Sequence, residues 1–313
     1  MPEAATYLSA LRTGQLDYIG ALSLTQLRTI DQLESLQRTN PEIKTYPFYF
    51  RSNDSFELDI RKPPFDDINV RHAMQLALNN ETSAATLWSG QADPTPFGLI
   101  GNKGYYIPFD EWPAEVKQWY RYDPEAAEKL LDEAGYPRGA DGVRFKVTHD
   151  HRYPNYDLGY AEIAAGYWTD IGVDVKIDVL DEASGSATRR NRTWEGLIFH
   201  LLGSNNPPLS EVRNMVHSSG TDLHGIRYPE LDALIEAAEA TTSEEEQQRL
   251  VKEVDMHTME NHWWIWGPKA GKYMAIQPWV EGYSGEVHFG GQHRLPILAR
   301  LWIDQDLKKE MGF

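Results

Sequence analysis

The sequence predicts an α/β protein, and two patterns carry that expectation. Between residues 143 and 179, apolar side chains alternate, then recur at helical spacing, then alternate again. On both sides of that stretch, helices with readable start and stop signals are interspersed with short apolar strands, without internal repeats or low-complexity tracts.

Taken in order, residues 4–12 predict a short helix that stops at Gly14, followed by an apolar stretch from Leu16 to Leu22. A second helix is expected over 25–38, and Ile43 to Arg51, with Tyr46, Phe48, Tyr49 and Phe50, predicts an aromatic-rich strand. After Pro63-Pro64, Asp66 or Asp67 can cap a helix whose apolar face is Val70, Ala73, Met74, Ala77 and Leu78. Asp123-Pro124 opens another, with a stripe of Ala127, Leu130, Leu131 and Ala134 ended by Gly135 and Pro137. Val143, Phe145 and Val147 alternate as a strand does. Tyr160, Ile163, Ala164, Tyr167, Trp168 and Ile171 then take helical spacing up to Gly172, and Val173, Val175, Ile177 and Val179 alternate again. Strand, helix and strand of these lengths form a βαβ unit, whose strands run parallel with a right-handed crossover. A further strand is expected at Leu197–Leu202 and a helix at Pro229–Ala240, while Ser243 and Glu246 form a capping box for a helix running towards Glu260.

Composition narrows the function. The 30 basic residues against 47 acidic ones give a net charge of −17, a surface that repels phosphate backbones, so nucleic acid is not an expected partner. There is no cysteine, which excludes thiolate metal sites, disulfides and cysteine nucleophiles together. Ten tryptophans and sixteen tyrosines can line a ligand-stacking cleft or fill a core. No apolar run is long enough for a membrane span. Met1-Pro2-Glu3-Ala4-Ala5 lacks the basic-then-apolar pattern of a secretion signal, so a chain complete as it stands reads as soluble and cytoplasmic.

Catalytic motifs are missing. Gly267-Pro268-Lys269-Ala270-Gly271-Lys272-Tyr273 echoes a phosphate-binding loop but is one residue short and lacks the final Ser or Thr. Neither an HExxH helix nor a Gly-x-Ser-x-Gly elbow occurs. The carboxylates and tryptophans leave a carbohydrate-active hydrolase with a carboxylate pair as the alternative to a binding protein. No catalytic residue, metal or cofactor is assigned.

Four segments then carry a family resemblance. Pro63-Pro64-Phe65-Asp66-Asp67-Ile68-Asn69-Val70-Arg71-His72-Ala73 resembles the signature of the family 5 bacterial solute-binding proteins, which serve oligopeptide, dipeptide and nickel importers. Tyr122 to Leu131 with Glu133-Ala134-Gly135-Tyr136-Pro137, Asp170 to Val175, and Tyr228-Pro229-Glu230-Leu231-Asp232 follow in the family's order. Each segment also has a plain structural reading: Arg71 in a scaffold ion pair, the Asp123 segment as a helix entry, the Gly172 segment as a helix exit. The resemblance implies a fold like that of type II periplasmic binding proteins and the role of solute-binding component of an ABC-type importer. A degenerate, non-binding structural relative is the further alternative.

The resemblance further implies that this is the carboxy-terminal part of a longer chain, because Gly14-x-x-Asp17 matches an element that normally lies deep inside family members. On that alignment residues 1–47 end the first lobe, 48–275 form the second lobe and 276–313 return to the first. Weak ligand binding by this part alone is expected. The implied partners are a small-molecule or peptide ligand and a membrane permease, the implied state is a monomer, and the implied place is the periplasm or the cell surface as a lipoprotein.

The resemblance also nominates ligand-binding residues. Lobe crossings fall near Tyr46–Asn53 and Trp264–Ala275, which nominates Arg51, Asn53 and Trp266. The loop after the Val143–His149 strand contains His151 and Arg152, and Arg152 resembles an arginine that holds a peptide carboxylate in dipeptide-type relatives. A guanidinium suits that task because it offers a planar two-pronged donor. Gly203, Ser204, Asn205 and Asn206 occupy the place where peptide-binding relatives carry a carboxylate for the peptide ammonium; here the acidic residues are gone. These groups can hydrogen-bond a ligand but cannot neutralise a buried ammonium, which makes a free peptide amino terminus a doubtful ligand. His149 and His151 share one side of a strand, yet nothing else in the sequence supplies a metal-ligand cluster. The Trp263-Trp264-Ile265-Trp266 run can stack a sugar or an apolar side chain, or pack the lobe interior.

Overall fold

A computed structural model of the chain describes residues 4–20, 30–49, 53–88, 90, 92–96, 98–152, 158–202, 207–220, 227–269, 271–285 and 295–313. Its elements in chain order begin α1 (Ala4–Arg12), β1 (Tyr18–Ile19), α2 (Ile30–Thr39), β2 (Lys44–Tyr49), β3 (Asn53–Leu58), α3 (Ile68–Leu76) and α4 (Asn80–Trp88). There follow α5 (Ala114–Lys117), α6 (Pro124–Glu133), β4 (Phe145–His151), α7 (Leu158–Asp170), β5 (Val173–Val179), α8 (Glu182–Asn191), β6 (Leu197–Leu202) and α9 (Pro208–Met215). The last are α10 (Pro229–Ala240), α11 (Glu244–Glu260), β7 (Trp264–Trp266), β8 (Gly271–Ile276), β9 (Val280–Glu281), α12 (Leu295–Leu298), β10 (Trp302–Ile303) and α13 (Gln305–Glu310).

Two compact units divide the chain: Met1–Phe50, Trp88–Asp93 and Ala270–Phe313 form one, and Arg51–Leu87 with Pro94–Lys269 form the other. In the first unit β8 pairs antiparallel with both β1 and β2. Leu8, Leu11, Ile19, Leu36, Ile43 and Ala275 make one core, and Met274, Ile276, Trp279, Val280 and Ile297 make another. Asp17, the acidic end of the Gly-x-x-Asp element, accepts hydrogen bonds of 2.8 Å from both Trp279 Nε1 and Lys308 Nζ.

The second unit is built on a five-stranded sheet of order β5-β4-β6-β3-β7. β4 runs parallel to β5 and β6, whereas β3 runs antiparallel to β6 and β7. The expected parallel βαβ unit is β4–α7–β5. Its first strand starts at Phe145, because Val143 still gives its carbonyl to the Gly139 N–H in a turn. α7 covers one sheet face: Phe56 of β3 meets Trp168 edge-on at 4.8 Å and Tyr160 at 5.7 Å. Trp168 Nε1 also donates to the Met74 carbonyl at 2.9 Å, which ties α7 to α3.

The local signals act as expected at the helix starts. Asp67 accepts from Asn69 N, Asp123 from Ala126 N with Pro124 in the first turn, and Ser243 from Glu246 N. The aromatic strand expected over Ile43–Arg51 is β2, described from Lys44 to Tyr49; residues 50–52 lie outside the described residues, and β3, in the second unit, is a further strand that the sequence reading did not place. The helix expected over 25–38 is described from Ile30 to Thr39. α4, α8 and α9 were not anticipated.

Inside the second unit, Asp255 of α11 is buried and accepts a 2.7 Å hydrogen bond from the Leu99 backbone. Burial pushes its carboxyl up to about 7, against the opposing pull of the Leu99 and Ile100 N–H groups. The folded value lies above the ordinary one, so the folded chain binds the extra proton and stability falls as pH rises from about 4 through 7. Replacing Asp255 by Asn removes this slope. Urea unfolding at pH 5 and pH 8 should show the Asp255→Asn variant gaining about 2–3 kcal/mol on the unsubstituted chain between the two.

Candidate functional site

In open α/β sheets, ligands bind outside the carboxyl ends of the strands, where the backbone leaves polar groups and loops can diverge. In the second unit that edge is formed by His151 of β4, Val179 of β5, Leu202 of β6 and Trp266 of β7. β3 runs the other way, so its first residue, Asn53, belongs to the same edge and pairs with Leu202.

Four of the nominated residues therefore share one end of one sheet: Asn53, His151, Arg152 and Trp266. Arg51 and Gly203, Ser204, Asn205 and Asn206 lie outside the described residues, as does the side chain of Asn53. Arg152, directly after β4, is only 8% exposed. Gly185 of α8 permits this, since a Cβ at that position would lie 2.5 Å from the Arg152 Cβ and 2.7 Å from its Cα. The Leu180 N–H donates to the His151 carbonyl at 3.0 Å and so fixes the strand end from which Arg152 follows.

His149 and His151 are both buried, with His149 Nε2 and His151 Nδ1 3.3 Å apart. Burial first, and the neighbouring His151 second, push His149 down to about 3, so it is neutral at physiological pH. Among the described residues no group of three or more His, Cys, Asp or Glu side chains gathers to hold a metal ion. On the other side of β4, Asp150 stands opposite Asp178 of β5, and burial together with Asp178 and Glu195 raises its carboxyl.

Trp263, Trp264 and Trp266 are all fully buried, so the aromatic run packs the interior. β7 is an edge strand, paired only with β3. Its free side is occupied by α3: Gln75 Nε2 donates to the Trp266 carbonyl at 3.0 Å, and the Trp266 N–H donates to Gln75 Oε1 at 2.7 Å. Asn80 Nδ2 reaches the same carbonyl at 3.0 Å and is itself held by Tyr160, whose hydroxyl donates to Asn80 Oδ1 at 3.0 Å. Gly267 lies so close to Tyr160 that a Cβ there would fall 2.4 Å from the ring. Trp266 Nε1 is buried and has no hydrogen-bond partner among the described residues.

On the Trp264 side of β3, Glu57 receives a 2.7 Å hydrogen bond from Arg189 Nε of α8, with side chains 1% and 9% exposed. Sequence reading missed this pair and the Gln75–Asn80–Tyr160 cluster. Gln75 is one polar residue in a buried helix face, and Glu57 one acid in a strand; each looks exposed until its partner is known. A surface groove of about 640 Å³ between α10 and α11, floored by Leu231, Leu234 and Met256, contains none of these groups.

Residues 1–222 match the family model described as bacterial extracellular solute-binding proteins, family 5 Middle. The chain belongs to that family. It is 24% identical over 290 residues to heme-binding protein A of Haemophilus influenzae, covering 90% of this chain and 50% of that protein. The oligopeptide-binding protein AppA of Bacillus subtilis, solved with a nonapeptide, superposes with a TM-score of 0.77 at 17% identity, over 97% of this chain and 59% of its own. NikA of Brucella suis, solved with Fe(III)-EDTA, gives 0.76 at 22% identity, over 97% and 61%. The family-5 chain thus spans about half the length of that curated relative, and its fold is the type II periplasmic-binding-protein fold that the family resemblance implied. Among the described residues no helix is long and apolar enough to cross a membrane.

The ion pair under the sheet edge sets the first test of this site. Replacing Arg189 by Met leaves the buried Glu57 carboxylate facing an apolar chain and should cost about 3–5 kcal/mol in denaturant unfolding. The Glu57→Leu, Arg189→Met double variant should recover most of that loss. Equal stability of the single variant and the parent would mean that the pair does not hold α8 to β3.

Proposed function

We propose that this family-5 chain holds a small solute or peptide at the carboxyl end of its five-stranded sheet, as the solute-binding component of an ABC-type importer. It delivers the ligand to a membrane permease and catalyses no reaction. One observation carries the reading: in a chain that matches the family over residues 1–222, Arg152, His151, Asn53 and Trp266 come to one strand edge, the edge at which α/β sheets bind ligands. In this reading residues 48–275 are the second lobe, residues 1–47 and 276–313 belong to the first, and the protein works as a monomer in the periplasm or at the cell surface.

Arg152 holds a ligand carboxylate. The residue is almost wholly removed from bulk water, where a charge-assisted pair with an arriving anion is stronger than at an open surface. Ser204, Asn205 and Asn206 supply uncharged hydrogen-bonding groups, so the solute is gripped by its acidic end and needs no ammonium group. His151, Gly203, Arg51 and Asn53 complete the ligand-facing set.

N-acetyl-trialanine and trialanine amide separate the two ends of a peptide, one offering only the carboxylate and the other only the ammonium. Calorimetry or NMR titration should show the acid binding with a Kd of roughly micromolar or weaker, and the amide binding at least about tenfold more weakly. Arg152→Ala should reduce affinity for the acid roughly 10–100-fold, the value of a charge-assisted hydrogen-bonded pair. Tighter binding of the amide than of the acid, or turnover of either probe, would sink this reading.

A further inference from the structure

We infer that the indole N–H of Trp266 is a ligand donor, and that Gln75 and Asn80 are the positioning residues that hold it for an oxygen of the bound solute. The inference rests on the binding reading above and adds residues to it.

Trp266 ends β7 at the sheet's carboxyl edge and pairs with Ser55, so its side chain lies on the Ser55–Glu57 face. The ring is fully buried, yet Nε1 has no partner among the described residues. A buried N–H without an acceptor is a standing cost that an incoming oxygen removes. Trp194 has a similarly unmatched Nε1, but it precedes β6, at the opposite end of that strand from Leu202 and the nominated residues.

The backbone around Trp266 is fixed more firmly than an edge strand requires. Gln75 satisfies both its N–H and its carbonyl, as a neighbouring strand would, and Asn80 adds a second donor to the carbonyl. Tyr160 orients Asn80 and closes on Gly267, whose N–H donates to the Asp54 carbonyl at 2.7 Å. Three helices, α3, α4 and α7, thus converge on one residue. A donor aimed at a ligand needs such support, because small displacements of the donor forfeit the hydrogen bond.

The experiment is an NMR titration of the full chain with N-acetyl-trialanine, following indole N–H resonances assigned through Trp266→Phe and Trp194→Phe. The Trp266 indole signal should move and gain protection from exchange on binding, while that of Trp194 stays in place. Trp266→Phe, which keeps an aromatic ring but loses the donor, should weaken binding roughly tenfold. Gln75→Leu should weaken it several-fold and speed amide exchange at Trp266 and Gly267 more than elsewhere in the second unit. A purely structural role for Gln75 would speed exchange and leave the affinity unchanged. A bound state in which the Trp266 indole does not move, or a Trp266→Phe variant that binds as tightly as the parent, overturns the inference alone. Failure of the unsubstituted chain to bind the probe overturns both the inference and the binding reading.

Discussion

Glu57 stands in β3, between β6 and β7, with its carboxylate shut away from water. A charge in that position is costly unless a counter-charge and hydrogen bonds go in with it, and Arg189 Nε supplies both from α8 at 2.7 Å. Much of the second unit depends on this pairing. β3 is the only strand that links the parallel part of the sheet to β7, so whatever keeps it in register also keeps Trp266 at the same edge as His151 and Arg152. The helix that brings Arg189 also carries Gly185, against which Arg152 packs. One buried ion pair therefore couples the strand between β6 and β7 to the helix that shelters the nominated anion-binding residue.

How far the sequence could be read depended on whether each cause was local. Asp67, Asp123 and Ser243 cap their helices through bonds to residues two or three positions away, so those helices were legible. The βαβ unit was legible because its strands alternate cleanly between turns. β3 was not, since Asn53-Asp54-Ser55-Phe56-Glu57-Leu58 looks solvent-facing and becomes central only through Arg189, 132 residues away. α8 has an N-cap in Asp181, which accepts from Ala183 N and Ser184 N, but its small and basic residues show no apolar stripe. α4 follows α3 almost without a break. Its start was marked by Asn79, whose side chain accepts from Thr82 N at 2.9 Å, a signal available in the sequence and passed over. For the site, the resemblance supplied Arg152, His151 and the 203–206 segment, and no local pattern could have supplied Gln75 or Asn80.

Near the sheet's carboxyl edge His149 is held neutral by burial, and Glu57 faces Arg189. Catalytic clefts set carboxylates, imidazoles or thiols within reach of a reacting atom with their proton affinities tuned to the task. Here the polar groups are suited to holding. In the proposed reading, a guanidinium, hydroxyl and amide groups, and an indole N–H orient a ligand without activating any bond in it.

The clamp on β7 has a second effect, on the outside of the sheet. An open edge strand presents a row of unpaired N–H and C=O groups that can recruit a strand from another molecule. At the β7 edge, Gln75 has already taken the N–H and the carbonyl of Trp266, so a foreign strand finds those groups occupied. At the other edge β5 carries Asp174, Lys176 and Asp178, and an added strand would have to accommodate those charges. Both margins of the sheet thereby resist growth, which helps keep the second unit from polymerising through its own scaffold.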